Sequence, residues 1–203
     1  MTRLKYKVFG IGVPKSGSNS LADALTHLGY NVLHFGREEF QEKSDKALRF
    51  RKNLELDRDA LTGFERFTAF VDSPVWHSFK RLSIENPNAK FVLTYRDPAA
   101  CALSWMRMQH YLHRSIQPAD APQNFSAARR RVEDHIDAVF DFFAHNTNKL
   151  LILDQADPSH VKWKQLAKFL ELKTPHNKPF PHSFQHKGFV VKGKLNSGRL
   201  PCE

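Results

Sequence analysis

Cysteine is nearly absent from this sequence. Two residues in 203, Cys101 and Cys202, are too few for a disulfide framework or a multi-cysteine zinc site. No apolar run approaches the roughly 18 residues that would span a bilayer. The opening Met1-Thr2-Arg3-Leu4-Lys5-Tyr6-Lys7 lacks the apolar stretch of a secretory signal, so a cytoplasmic location is expected. Internal repeats and low-complexity tracts are missing too, which removes solenoid and disordered readings. Acidic residues are scarce beside basic ones, 21 against 31, leaving a formal net charge of +10. That surplus attracts polyanions: nucleic acid, an anionic lipid surface or a nucleotide with several phosphates.

What remains suits a globular enzyme or binding module. Hydrophobic residues make up 41% of the chain and seventeen residues are Phe, enough to bury one sizeable core. Residues 6–11 are β-rich and apolar after Lys7, the pattern of a strand covered on both faces. Further strands are predicted at 31–35, 67–71, 90–95 and 149–153. Helices are predicted at 21–28 (closed by Gly29), 74–84, from Pro98 with Asp97 as N-cap, 125–145 and 159–170. The charged stretch 36–64 reads as a mostly helical insertion on the acceptor side, lying over the surface, and 173–203 as a basic tail. Strands alternating with helices imply one α/β domain over 1–203, three layers deep around a parallel sheet of about five strands. Ligands in such folds sit beyond the carboxyl ends of the strands, so the residues that follow each strand matter most.

After the first strand comes Gly12-Val13-Pro14-Lys15-Ser16-Gly17-Ser18-Asn19-Ser20-Leu21. Gly12 and Gly17 have the spacing of a Walker A loop, in which turned backbone amides and a helix N-terminus cradle phosphate. Ser18 and Asn19 stand where Lys and Ser or Thr belong, however, and the lysine has moved into the loop as Lys15. The cation therefore approaches from another side than in a magnesium-nucleotide enzyme. After the strand at 90–95 comes Arg96, with Ser104 eight residues on. A guanidinium fork beside a hydroxyl is a good grip for a second phosphate.

Together these two strand ends resemble the P-loop sulfotransferases. Pro14 to Leu21 is similar to that family's 5′-phosphosulfate loop, P-K-[ST]-G-[ST]-[TN]-[WS]-L. Phe91 to Pro98 followed by Ser104-Trp105 is similar to its 3′-phosphate motif. The strand at 149–154 and Asn177-Lys178-Pro179-Phe180-Pro181-His182 resemble late segments of bacterial-type members, a closer likeness than to cytosolic phenol sulfotransferases. The resemblance implies transfer of a sulfuryl group from 3′-phosphoadenosine 5′-phosphosulfate to an acceptor hydroxyl or amine, leaving adenosine 3′,5′-bisphosphate. It implies that Lys15 contacts the leaving oxygen and that residues 16–20 (Ser16, Gly17, Ser18, Asn19 and Ser20) hold the 5′-phosphate. Arg96 and Ser104 hold the 3′-phosphate by the same likeness. Phe184-Gln185-His186-Lys187-Gly188 is similar to the segment that cytosolic members fold over the 3′-phosphate, with His186 in place of Arg, so Lys187 and Gly188 join the nucleotide-binding set. A sulfuryl group carries less negative charge than a phosphoryl group, so lysine and amides can replace a metal ion, and none is expected.

The base is left open among three residues. Asp72 stands at the end of the third strand, where a base would meet the acceptor, although it could equally cap the next helix. His77 follows within that helix, and His34 ends the second strand, where it could also line the acceptor pocket. Trp76, Trp105, Met106, Met108 and Tyr111 are candidate pocket walls or core residues. The run Arg129-Arg130-Arg131 is a solvated helix face or steers an anionic acceptor. The expected partner is a small-molecule or saccharide acceptor, with no nucleic acid and no membrane span. A chain short for the family implies trimmed acceptor loops or a pocket completed in a homodimer. Two other readings stand beside this one. A P-loop nucleotide kinase would need Mg²⁺ and ATP, and an inactive or nucleic-acid-binding P-loop module would show salt-dependent binding.

Overall fold

The computed structural model of the chain describes residues 4–39, 45–112 and 124–183. A five-stranded, wholly parallel sheet runs through them in the order β2-β3-β1-β4-β5. The strands are β1 (Val8–Gly10), β2 (Val32–His34), β3 (Ala69–Val71), β4 (Lys90–Tyr95) and β5 (Leu150–Asp154). The side on which strands are added switches at β1: the path goes outward to β2, returns to β3, then crosses to β4. The carboxyl ends of β1, β3 and β4 therefore share the crevice in which this class of sheet binds ligands.

Period-two alternation sorts the strand side chains onto two faces. Phe9, Ile11, Leu33, Phe70, Phe91 and Leu93 join one cluster, and Val8, Ala69, Val71, Val92 and Leu153 the other. The first face is covered by α3 (Lys46–Glu55), α4 (Phe79–Glu85) and α6 (Phe125–Phe143), through Phe50, Leu82, Val139 and Phe143. The second lies under α1 (Ser18–His27) and α7 (Ser159–Phe169), through Leu21, Leu25, Trp163 and Leu166. Two further helices, α2 (Phe35–Glu39) and α5 (Pro98–Leu112), follow β2 and β4. The α/β class and the five parallel strands agree with the sequence reading.

Several boundaries differ. The first three strands are three residues each, shorter than expected, because the chain turns into its functional loops as soon as it leaves the sheet. The stretch 36–64 is more than a surface cover. Phe35, Phe50 and Phe64 are fully buried with ring centroids 5.4 to 6.3 Å apart, and they continue the sheet's own Phe cluster through Phe70. Buried Asn53 fastens that stretch by donating to the carbonyls of Ala60 and Thr62. The helix expected over 74–84 is split into a 3₁₀ turn at Val75–His77 and then α4. Asp97 does cap α5, accepting the Ala100 N–H at 2.8 Å, and Asn124 caps α6 in the same way. Helix α1 closes in a Schellman motif, with Gly29 at φ 91° and Tyr30 N–H returning to the Leu25 carbonyl.

Candidate active site at the strand ends

The loop after β1 is held from inside. Buried Ser16 donates to the Val13 carbonyl at 2.7 Å, and its oxygen accepts the Thr94 hydroxyl of β4, also at 2.7 Å. Gly12 is required by this arrangement, because a Cβ there would stand 1.9 Å from Thr94 Oγ1 and 2.4 Å from Ser16 Oγ. Lys15 at φ 71° and Gly17 at φ 116° turn the chain sharply into α1. The amides of Ser18, Asn19 and Ser20 then open the helix with no carbonyl four residues back to bond, at the positive end of its dipole. Gln155, just past β5, walls this loop: a Cβ on Gly17 would lie 2.5 Å from its Cδ. The sequence reading did not single out Gln155.

Three charges converge over the loop. Arg96, directly after β4, donates from Nη1 to the Lys15 carbonyl at 3.3 Å. The Lys15 ammonium is held below its usual range by burial and by the Arg96 charge, with the Asp72 carboxylate pulling the other way. Asp72 follows β3 with φ 77°, the left-handed region that non-glycine residues rarely adopt. Its Oδ1 accepts the Ser73 N–H at 2.8 Å, while Oδ2 lies 3.4 Å from Ser18 Oγ and 3.5 Å from His34 Nε2. A Cβ on Gly36 would come within 2.7 Å of that Oδ2, so glycine makes room for the carboxylate.

Around this centre the second strand contributes a clamp. His34 is buried, and its Nδ1 accepts the Arg37 N–H at 3.2 Å. Burial pushes its imidazole pKa down, opposed by Asp72. Arg37 donates to Asn19 Oδ1 at 2.6 Å and to Asp23 Oδ1 at 2.7 Å, so the Asn19 side-chain oxygen is already committed. Ser20 Oγ accepts the Ser183 N–H at 3.2 Å, and the Ser183 hydroxyl bonds Asp23. The segment leading to Ser183 is anchored by Phe180 against Trp163, with Trp163 Nε1 donating to the Lys178 carbonyl.

The other expected residues sit further out. His77 is exposed on the 3₁₀ turn, its ring stacked on Trp76. Ser104 is half-buried on α5, two turns beyond Arg96. Trp76 and Trp105 pack edge to face under the loop with Val13 and Cys101, and the Arg131 guanidinium lies 5.7 and 5.5 Å from their ring centres. Cys101 is a core residue whose thiol is pushed up to about 12 by burial. Lys187, Gly188, the rest of that segment and Cys202 lie outside the described residues, as does the Tyr111 side chain. His135, which the sequence reading passed over, is buried on the apolar stripe of α6 with Val132, Ile136 and Val139. It donates from Nε2 to the Ile11 carbonyl at 2.7 Å and so ties that helix to the end of β1. Among the described residues no group of three or more His, Cys, Asp or Glu side chains could hold a metal, and no helix is long and apolar enough to cross a membrane.

Comparison with known proteins bears on the family and on the fold. A family described as "Sulfotransferase domain" matches residues 7–122 and 99–189. The crystal structure of a sulfotransferase from Alicyclobacillus acidocaldarius is similar over 89% of this chain and 86% of its own, with 15% identity and a TM-score of 0.55. The sulfotransferase domain of the Synechococcus PCC 7002 olefin synthase aligns over 86% of this chain and 76% of its own, at 15% identity and a TM-score of 0.49. No curated protein matches the sequence. The likeness to the first structure is one of fold.

Proposed function

The chain belongs to the sulfotransferase domain family, and from that premise we propose that it moves a sulfuryl group from 3′-phosphoadenosine 5′-phosphosulfate to a hydroxyl or amine of a small-molecule or saccharide acceptor, without a metal ion. The observation that carries this reading is the loop after β1, where Arg96 holds the Lys15 carbonyl at 3.3 Å beside the free amides that open α1, and the half-buried Lys15 ammonium feels both the Arg96 and the Asp72 charges. Two like charges held together over open helix amides make a site that gains from binding an anion of several charges. The Asp72 carboxylate, 3.4 Å from Ser18 Oγ at the start of α1, is the base of this reading.

The donor supplies a sulfuryl group already activated by a phosphate leaving group. The amides of Gly17, Ser18, Asn19 and Ser20, with the Ser18 and Ser20 hydroxyls, take the 5′-phosphate. Arg96 and Ser104 take the 3′-phosphate. Asp72 accepts the acceptor's proton as the acceptor atom bonds to sulfur. Lys15 donates to the oxygen that gains charge as the bond from sulfur to phosphate breaks. The sum is a sulfated acceptor, adenosine 3′,5′-bisphosphate and one proton on Asp72. Ser16 supports the loop from inside: its buried hydroxyl and its N–H both donate to the Val13 carbonyl, and its oxygen accepts from Thr94. The reading extends to a cytoplasmic enzyme whose acceptor pocket is either trimmed or completed by a second subunit.

Incubation with the donor and a panel of phenols, alcohols, amines and saccharides, in the presence of a chelator, tests it by mass spectrometry. A sulfated product with an equal amount of adenosine 3′,5′-bisphosphate is expected. A requirement for magnesium with phosphoryl transfer from ATP would overturn the proposal.

A further inference from the structure

We propose that His34 is a positioning residue for the proposed base: its Nε2–H faces Asp72 Oδ2 and holds that carboxylate in the orientation from which it takes the acceptor's proton. The inference rests on the reading of Asp72 as base and adds the group that aims it.

A neutral imidazole has one lone pair and one N–H. In His34 the lone pair is spoken for, because Nδ1 accepts the backbone N–H of Arg37 at 3.2 Å. The ring proton therefore sits on Nε2. That nitrogen is buried, finds no hydrogen-bond partner among the described residues, and lies 3.5 Å from Asp72 Oδ2. A buried donor left unpaired is costly, and a carboxylate is the strongest acceptor it could meet. Asp72 Oδ1 is held by the Ser73 N–H at 2.8 Å, while Oδ2 receives only the Ser18 hydroxyl at 3.4 Å, so Oδ2 is the oxygen beside which the buried His34 N–H stands. Position 36 leaves the gap in which the two groups approach: a Cβ there would stand 2.7 Å from Oδ2 and 3.4 Å from His34 Cε1.

The same hydrogen bond separates His34 from the role of base. Taking up a proton would put an Nδ1–H against the Arg37 N–H, two donors face to face. Burial also disfavours the imidazolium. The charged groups that face the ring are Asp72 from the end of β3, Arg37 from α2 and Asp23 from α1. Arg37 in turn grips Asn19 and Asp23, so the orientation of His34 is tied to the first turns of α1, where the nucleotide's phosphate is proposed to sit.

The test pairs a spectrum with kinetics. In ¹⁵N-labelled protein, the His34 ring is expected as the Nε2–H form, with an Nε2 resonance that moves on Asp72→Asn. Replacement of His34 by Leu is expected to lower kcat roughly 10- to 100-fold, as loss of an outer orienting partner does. The Kd for adenosine 3′,5′-bisphosphate should stay within about twofold of wild type, since an orienting partner acts on kcat and not on ground-state binding. His34→Gln, which keeps an N–H near the Nε2 position, should recover most of the rate. An Nδ1–H form, or an Nε2 resonance indifferent to Asp72→Asn, overturns the proposal without need of any variant at position 34. Wild-type kcat in His34→Leu beside a crippled Asp72→Asn overturns it too. Full activity in Asp72→Asn would sink the base reading and this proposal with it, and the ring spectrum tells that outcome from loss of the His34 contact alone.

Discussion

Arg96 holds the backbone carbonyl of Lys15 at 3.3 Å, so the residue directly after β4 steadies the lysine in the loop after β1. One side chain thus does two things: it bonds the loop, and its charge, after burial, helps hold the Lys15 ammonium below its usual range. The two positions are expected to fail differently when altered. Lys15→Ala should abolish detectable turnover, a loss of at least 10²- to 10³-fold for a donor aimed at developing charge. Arg96→Ala should chiefly weaken adenosine 3′,5′-bisphosphate, by roughly 10- to 100-fold as expected for a lost charged hydrogen-bond partner. Steady-state kinetics beside calorimetry separates the two. Equal effects on kcat alone from both variants would contradict the division of labour.

Asp72→Asn keeps shape and removes the basic lone pair. It is expected to lower kcat by roughly 10²- to 10⁴-fold, the usual range for a general base, with the Kd for the bisphosphate little changed. Measured kcat and Kd decide it, and if the variant stays fully active the base passes to His77 or another group.

Gly12→Ala tests the loop's packing. The added methyl would stand 1.9 Å from Thr94 Oγ1 and 2.8 Å from the Thr94 carbonyl, which is backbone and has no room to yield. The variant should lose bisphosphate binding and melt at a lower temperature. Wild-type binding would show that the loop is looser than described.

Acid should destabilise the fold through two buried imidazoles. His34 and His135 are both pushed by burial below the ordinary value of 6.5. The unfolded chain therefore takes up protons on them before the folded one does. Their full contribution to stability is present above about pH 6.5 and is lost as pH falls through their folded values. Thermal melting between pH 8 and pH 5 should show Tm falling below about pH 6.5. A His135→Gln variant should show a shallower fall, and a flat or rising Tm would contradict the assignment.

Much of this arrangement was visible in the sequence where signals were local. The strand at Lys90–Tyr95, Pro98 opening α5 and the Asp97 cap all came from short-range chemistry, and the structure has them at the same residues. The tight turn after β1 was legible because glycine spacing is a property of adjacent residues, and the structure has the loop there. The contact between His34 and Asp72 was not. Each was named as a candidate base, but their approach depends on β2 pairing with β3 in the register that sets His34 beside Val71. Arg37 and Gln155 were missed for a related reason. Arg37 sits in a charged run where nothing local marks it out, and Gln155 matters only because it faces a glycine that is remote in sequence. The Phe cluster beneath 36–64 was hidden because its apolar positions, Ala47, Phe50 and Leu54, are interleaved with charges.

The central claim is that these strand ends bind a nucleotide carrying both a 5′- and a 3′-phosphate, without metal. Calorimetric titration with adenosine 3′,5′-bisphosphate, in a chelating buffer and beside AMP and Mg-ATP, tests it most directly. The account predicts micromolar affinity for the bisphosphate and a large loss when the 3′-phosphate is absent. Preference for Mg-ATP, or equal affinity for AMP, would contradict it.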